Sequence, residues 1–198
     1  MPRITEEHRA ARREQILEAA RACVQDHGLE AVSMEMIITR SGLSTGAVYS
    51  YFKGKDAIIN AAVSEGTAQL GDALLPIFRA TELPPLPELL EQVLNAIIKF
   101  GPDESGVDRL VVAIHGWSHS QSDPNLTTAT RAAHIRLREG YKQAAKRLQK
   151  AGSLQPSADP AAVAQLLTSI TLGFVAQRAL SGTADIKAHI AALKSLTS

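Results

Sequence analysis

Cysteine is nearly absent: Cys23 is the only one in 198 residues. No internal disulfide can form, so nothing in the chain points to an oxidising compartment. Aromatic residues are scarce at 4%, although 45% of the chain is hydrophobic. Neither sign of charge dominates, with 21 Lys and Arg against 20 Asp and Glu and a formal net of +1. The sum therefore carries no global mark of nucleic-acid binding. The charged opening, Met1 to Gln15, has no apolar h-region, and no secretory signal is expected there. The longest uncharged run, Pro160–Gln177, is interrupted by Gln165, Thr168, Ser169, Thr171 and Gln177. It is marginal for a membrane span and reads as a buried helix of a soluble, cytoplasmic chain. What remains is too apolar and too neutral for disorder, and long enough for one domain or two small ones.

Helical periodicity dominates what is present. Ile16, Ala20, Cys23 and Val24 form one apolar stripe on a helix beginning near Arg9, with Gly28 where a C-terminal cap belongs. Ser33 is placed to cap a short second helix carrying Met34, Ile37 and Ile38. Ser41-Gly42 breaks that pattern. A third helix starts near Ser44 or Thr45 with Val48 and Phe52 inward, and Asp56 opens a longer one through Leu70. Further helices are expected over Leu89–Phe100, Leu110–Ser118, Leu126–Lys150, Ala161–Leu180 and from Ile186. No strand alternation persists and no repeat period is present, so the fold class is all-α.

Three short helices in about 45 residues, the second pair joined by Ser41-Gly42-Leu43-Ser44, have the proportions of a helix-turn-helix. Gly42 lets the backbone turn without a Cβ clash. Leu43 supplies the apolar side chain tucked under both helices. Ser44 can cap the next helix, whose N-terminal amides suit a phosphate. Thr45, Gly46 and Ala47 are small enough for that helix to enter the roughly 12 Å major groove closely.

Arg9 to Ile59 resembles the TetR family of bacterial transcriptional regulators. The resemblance rests on Ile16-Leu17-Glu18-Ala19-Ala20, His27-Gly28, Ser33-Met34, Ile37, Ser41-Gly42-Leu43-Ser44-Thr45-Gly46, Val48-Tyr49, Tyr51-Phe52 and Lys55. It covers about a quarter of the chain, and Gly42–Lys55 is its specific signature. It implies a three-helix DNA-binding head over residues 9–62, joined to a helical bundle over 63–198 for effector binding and dimerisation. The helix from Ser44 would be the recognition helix. Ser33, Ser44, Thr45, Gly46 and Ala47 would approach DNA, Tyr49 and Tyr51 would offer hydroxyls to phosphates, and Lys55 would pair with one. The partners implied are a near-palindromic operator duplex, a second copy of the chain, and a small apolar or aromatic effector; no cofactor or metal and no membrane partner is expected. Ile38 and Ser41 stand where the family generally has alanine, Tyr51 replaces the commoner histidine, and Gly54 replaces a Ser or Asn cap.

Local charge agrees with that reading. Met36 to Lys55 holds Arg40, Lys53 and Lys55 and no acid, and Met1 to Arg13 holds four arginines against Glu6 and Glu7. For dimerisation, the uncharged stripe of Val163, Leu166, Leu167, Ile170 and Phe174, with Ile190 and Leu193 after it, needs a covering partner. Phe78, Phe100, His115, Trp117 and Phe174 are candidates for an effector pocket, with plain core as the rival reading of each.

Several motifs invite other chemistry. Gly42-Leu43-Ser44-Thr45-Gly46 matches the G-x-S-x-G nucleophile elbow, but that motif needs a strand before it and a sheet around it. Ser50-Tyr51-Phe52-Lys53 matches S-x-x-K without its companion motifs, and the sequon at Asn125 is irrelevant without secretion. His115 and His119 are four apart but lack the glutamate of a metalloprotease helix. Cys23 reads as a small core hydrophobe. Arg131 to Lys150 carries seven cations against Glu139, which reads as the solvated face of a long helix, with a second nucleic-acid surface as the rival. No catalytic constellation emerges, so the chain is expected to be a ligand-responsive repressor; a hydrolase using Ser44, or an adaptor without DNA binding, is the alternative.

Overall fold

A computed structural model describes residues 5–102 and 106–197, with side chains to residue 195. Among the described residues the chain is helical throughout, with an isolated bridge between Pro102 and Asp108 and no strand. The helices are α1 (Glu6–Ala31), α2 (Met34–Ser41), α3 (Thr45–Tyr51), α4 (Lys55–Arg79), α5 (Leu86–Phe100), α6 (Arg109–His119), α7 (Pro124–Lys150), α8 (Pro160–Ser181) and α9 (Ile186–Thr197). The all-α expectation holds. The chain divides into two compact units, Met1–Thr67 with Pro102–Thr130, and Ala68–Gly101 with Arg131–Ser198.

In the first unit, α1 starts a turn earlier than its apolar stripe implies. Thr5 caps it, accepting from the His8 amide at 3.3 Å, and Glu6 and Glu7 complement the positive end of the helix dipole. Gly28, at φ 75° and ψ 163°, breaks the helix where the sequence places its cap; a side chain is strained in that conformation. Ile16, Leu17, Ala20 and Val24 of α1 bury against Ile37, Val48, Ile58, Ala62 and Val63 of the next three helices. Cys23 lies in the same core, and burial pushes its thiol up from the usual range. α6 joins this core closely: a Cβ on Gly116 would stand 2.5 Å from Val63 Cγ1, so only glycine fits without displacing a stiff β-branched side chain.

One charged residue sits inside that apolar frame. Arg21 is 1% exposed and donates to Glu14 and Glu18, each at 2.6 Å, and to the carbonyl of Ala62 on α4 at 3.3 Å. Glu18 also receives Arg109 from the first turn of α6 at 2.8 Å. A buried guanidinium is tolerable only when paired in this way.

In the second unit, α5 packs against α8 and α9. Its core is built from Leu89, Leu90, Val93, Leu94 and Ile97 with Tyr141, Ala145, Leu148, Leu167 and Phe174. Tyr141 keeps its hydroxyl satisfied against Thr171 Oγ1 at 2.8 Å, and burial pushes its phenol well above the usual range. α4 runs past Leu70 and through Pro76 to Arg79, longer than its pattern implies. The guanidinium of Arg147 takes the carbonyls of Phe78, Ala80 and Thr81 at 3.0, 2.5 and 2.9 Å, satisfying groups a helix end leaves without partners. α8 is long and apolar enough, by length and composition, to cross a membrane. Ala164, Leu167, Thr168, Thr171, Phe174 and Val175 on it are nevertheless buried in this unit.

Removing one partner of a buried ion cluster costs about 3–5 kcal/mol. Arg21→Ala is therefore expected to lower the unfolding free energy by about 3 kcal/mol or more in urea titrations of the full chain. A loss under about 1 kcal/mol would mean that the cluster does not hold the first unit together.

Candidate nucleic-acid interface

Each turn of the helix-turn-helix is held by a short-range hydrogen bond. Ser33 accepts from the Met36 amide at 3.2 Å and so starts α2. Gly42 ends α2 in the left-handed region at φ 65°, its N–H reaching the Thr39 carbonyl at 3.3 Å. Ser44 accepts from the Ala47 amide at 3.3 Å and starts α3. Ser41, where an alanine is usual in the family it resembles, is buried and fully used. Its hydroxyl donates to the Ile38 carbonyl at 2.9 Å and accepts from the Leu43 amide at 3.3 Å, while Gln15 of α1 takes its carbonyl at 2.7 Å. The substitution thus braces the turn.

The two faces of α3 separate cleanly. Val48 and, just after the helix, Phe52 are buried in the core of the first unit, and Leu43 packs partly against it. Ser44, Thr45, Gly46 and Tyr49 are exposed and Ala47 is half-buried, with Tyr49 at 50% exposure. No atom lies within 4 Å of where a Cβ on Gly46 would stand, so nothing in the chain itself requires glycine there. Tyr51 differs: it is half-buried and packs on the head core, which makes it the less available of the two tyrosines. Ser33 is exposed at the start of α2, its hydroxyl proton still free to donate while its oxygen caps the helix.

Lys55, the first residue of α4, shares a cleft of about 310 Å³ with the carboxylates of Glu30, Asp56 and Asp123. His119 also lines it, 3.5 Å from Glu30. Asn60 and the amides of Asn125 and Leu126 hydrogen-bond to Asp123 and hold its carboxyl below the usual range against the opposing effect of burial. Of the other cations in this segment, Arg40 is paired with Asp26 and Lys53 is exposed. Behind α3, Arg13 lies 5.3 Å over the Phe52 ring and pairs with Glu65 on α4. That guanidinium holds the Glu65 carboxyl below its ordinary range.

Ser44 does not occupy a nucleophile elbow. Met36-Ile37-Ile38-Thr39 before it lies in α2, and no strand exists among the described residues. His115 stands beside Gly28, whose added Cβ would lie 3.6 Å from the ring, and His119 faces Glu30. Among the described residues no group of three metal-ligating side chains gathers.

The residues named for an effector fall in different units. His115 and Trp117, both half-buried on α6, belong to the first. Phe78, Phe100 and Phe174 belong to the second, where Phe78 meets Tyr141 edge-on at 5.1 Å and Phe174 meets His189 at 5.6 Å. Of the residues named for dimerisation, Leu167, Phe174, Ile190 and Leu193 are buried inside a single chain. Val163 and Ile170 are half-buried, and Leu166 is 56% exposed. Leu180, at the end of the same helix, is 86% exposed. Thr168 was passed over as an interruption, yet its hydroxyl is buried with no hydrogen-bond partner.

A three-helix head with a glycine turn and an exposed, small-residue α3 face defines a helix-turn-helix protein of the nucleic-acid-binding kind. Comparison with known proteins makes the assignment specific. Residues 16–62 match the bacterial regulatory proteins of the tetR family, and residues 87–197 match the C-terminal domain of BetI-type transcriptional repressors. The chain belongs to the TetR family of transcriptional regulators. It is 30% identical over 129 residues to the HTH-type transcriptional regulator BetI of Escherichia coli, spanning 64% of each chain. It is 37% identical over 70 residues to the HTH-type transcriptional repressor Rv1474c of Mycobacterium tuberculosis, 35% of this chain and 37% of that protein. The matched length is thus under two thirds of either curated relative. Among solved structures, SmeT in complex with triclosan is 28% identical with a TM-score of 0.70, over 86% of this chain and 81% of that one. SmeT is the repressor of a Stenotrophomonas maltophilia multidrug efflux pump.

The Arg13–Glu65 pair is expected to contribute to the acid response of the head. Because the folded state lowers the Glu65 pKa, the pair stabilises above the unfolded carboxylate range near 4.3 and loses that contribution as pH falls through the folded value. Thermal melts of Glu65→Gln are expected to show a flatter fall in Tm below about pH 4.5 than the unaltered chain. Parallel curves would remove this pair from the acid response.

Proposed function

We propose that the chain is a DNA-binding transcriptional repressor that acts as a homodimer and is released from its operator by a small molecule. The observation that carries this reading is the α3 surface. Its buried side is fixed by Val48 and Phe52, while Ser44, Thr45, Gly46 and Tyr49 are left to solvent. Small residues at the start of the helix permit close approach to base edges, and hydroxyls and Lys55 supply phosphate contacts. Residues 9–62 would be the DNA-binding domain and 63–198 the effector-binding and dimerisation domain. The protein would act in the cytoplasm, and Ser44, whose oxygen caps α3, is given no catalytic role.

In a dimer, two recognition helices would enter successive major grooves of a near-palindromic operator, about 34 Å apart. Val163, Leu166 and Ile170, extended by Leu180, supply the apolar surface for the partner. The effector would be apolar or aromatic, and Phe78, Phe100 and Phe174 remain the proposed lining of its site, with His115 and Trp117 as further candidates. The 28% identity to a repressor solved with triclosan favours a ligand of that character. Its action follows from differential affinity for two states of the dimer: a ligand that binds the DNA-incompetent state better lowers operator affinity by the same factor.

Gel shifts with DNA from the region upstream of the chain's own gene, run across a salt series, test this. A dimer-sized complex is expected, with a log–log slope of several units at about −0.9 per phosphate neutralised. Lys55→Ala is expected to weaken all sequences alike and make the slope shallower by about one. A change at Thr45 is expected to alter sequence preference. Binding untouched by both would overturn the contact assignment.

A further inference from the structure

Seven cations lie on α7 between Arg131 and Lys150, and the fold sorts them into two groups. Arg147 is used by the carbonyls at the end of α4, and Arg136 lies 3.5 Å from Asp72. Arg131, Arg138, Lys142, Lys146 and Lys150 make no ion pair or hydrogen bond among the described residues. All but the half-buried Lys142 are exposed. At 3.6 residues per turn, Arg131, Arg138, Lys142 and Lys146 fall within about 80° of the helix circumference and extend over about 22 Å. The buried Tyr141, Ala144 and Leu148 lie about 100° or more from the middle of that stripe. Glu139, the lone acid of this stretch, flanks the stripe and is engaged by Gln143 at 2.5 Å.

We infer that this stripe is a second, sequence-independent contact surface for the phosphate backbone of duplex DNA. Duplex DNA presents one negative charge per about 1.7 Å of its axis, so a row of cations over 22 Å meets several phosphates without needing a particular register. The composition disfavours the other polyanions. A membrane-binding helix needs an apolar face to insert, and the apolar face of α7 is committed to the core, leaving Ile135 alone on the stripe. Single-stranded nucleic acid is held by aromatic platforms, and the stripe has none. The inference rests on the proposed DNA-binding function.

The test uses the full-length chain and a random-sequence duplex of about 40 base pairs, with anisotropy recorded from about 50 to 300 mM salt. Arg138→Gln with Lys142→Gln and Lys146→Gln is expected to make the log–log slope shallower by about two to three units. The charge-keeping variant Lys142→Arg with Lys146→Arg keeps the slope and shows that charge, not folding, is read. An unchanged slope in the triple variant, with the parent chain binding normally, overturns the stripe and leaves the proposed function standing. A triple variant that loses binding to phosphatidylserine vesicles while keeping its DNA slope also overturns it, in favour of a membrane. If the parent chain binds no duplex at any salt, the stripe and the proposed function fall together.

Discussion

The first unit is organised around a charge held out of water. Arg21 is buried beside the apolar stripe of α1, and burying it is tolerable only because Glu14, Glu18 and the Ala62 carbonyl converge on it. Glu18 then binds Arg109, so the same cluster reaches α1, α4 and α6. Unlike an apolar contact, a buried ion cluster penalises misplacement, since any partner that moves away leaves a charge unpaired. It ties α1 to α4 and α6 within the unit that also holds α2 and α3.

The sequence made the head legible because its signals are local. Ser33, Gly42 and Ser44 act within three or four residues of themselves, and caps and turns of that kind are written in residue type. Val48 and Phe52 showed which side of α3 turns inward, and Tyr49 then had to face out. Tyr51 was harder, because its half-buried state depends on the core beneath it. Long-range effects were not readable. Nothing near Arg147 says that it finishes a helix more than sixty residues earlier, and nothing in the stripe of α8 separates Leu167, buried in its own chain, from the exposed Leu166. The pocket candidates were hard to sort for the same reason: residue type marks an aromatic as apolar but not what it packs on, and Phe78, Phe100 and Phe174 lie in one unit with His115 and Trp117 in the other.

Charge behaves likewise. A net of +1 concealed both the basic segment around the helix-turn-helix and the row on α7. Within each, pairing then decides what is available. Arg40 is tied to Asp26 and Arg147 to carbonyls, whereas Lys53 and the α7 stripe remain open to solvent. Lys55 stands between these cases: it is half-buried and shares a cleft with Glu30, Asp56 and Asp123. Interactions of that kind are sensitive to ionic strength, since solvent ions screen exposed charges beyond about 10 Å at 0.1 M salt.

The central claim is that α3 reads DNA as one of a pair. A hydroxyl-radical footprint of the protein on its upstream DNA addresses this most directly. The account predicts two protected half-sites with centres about 10 base pairs apart, related by an approximate dyad. A single protected half-site, or protection with no dyad at saturating protein, would contradict it.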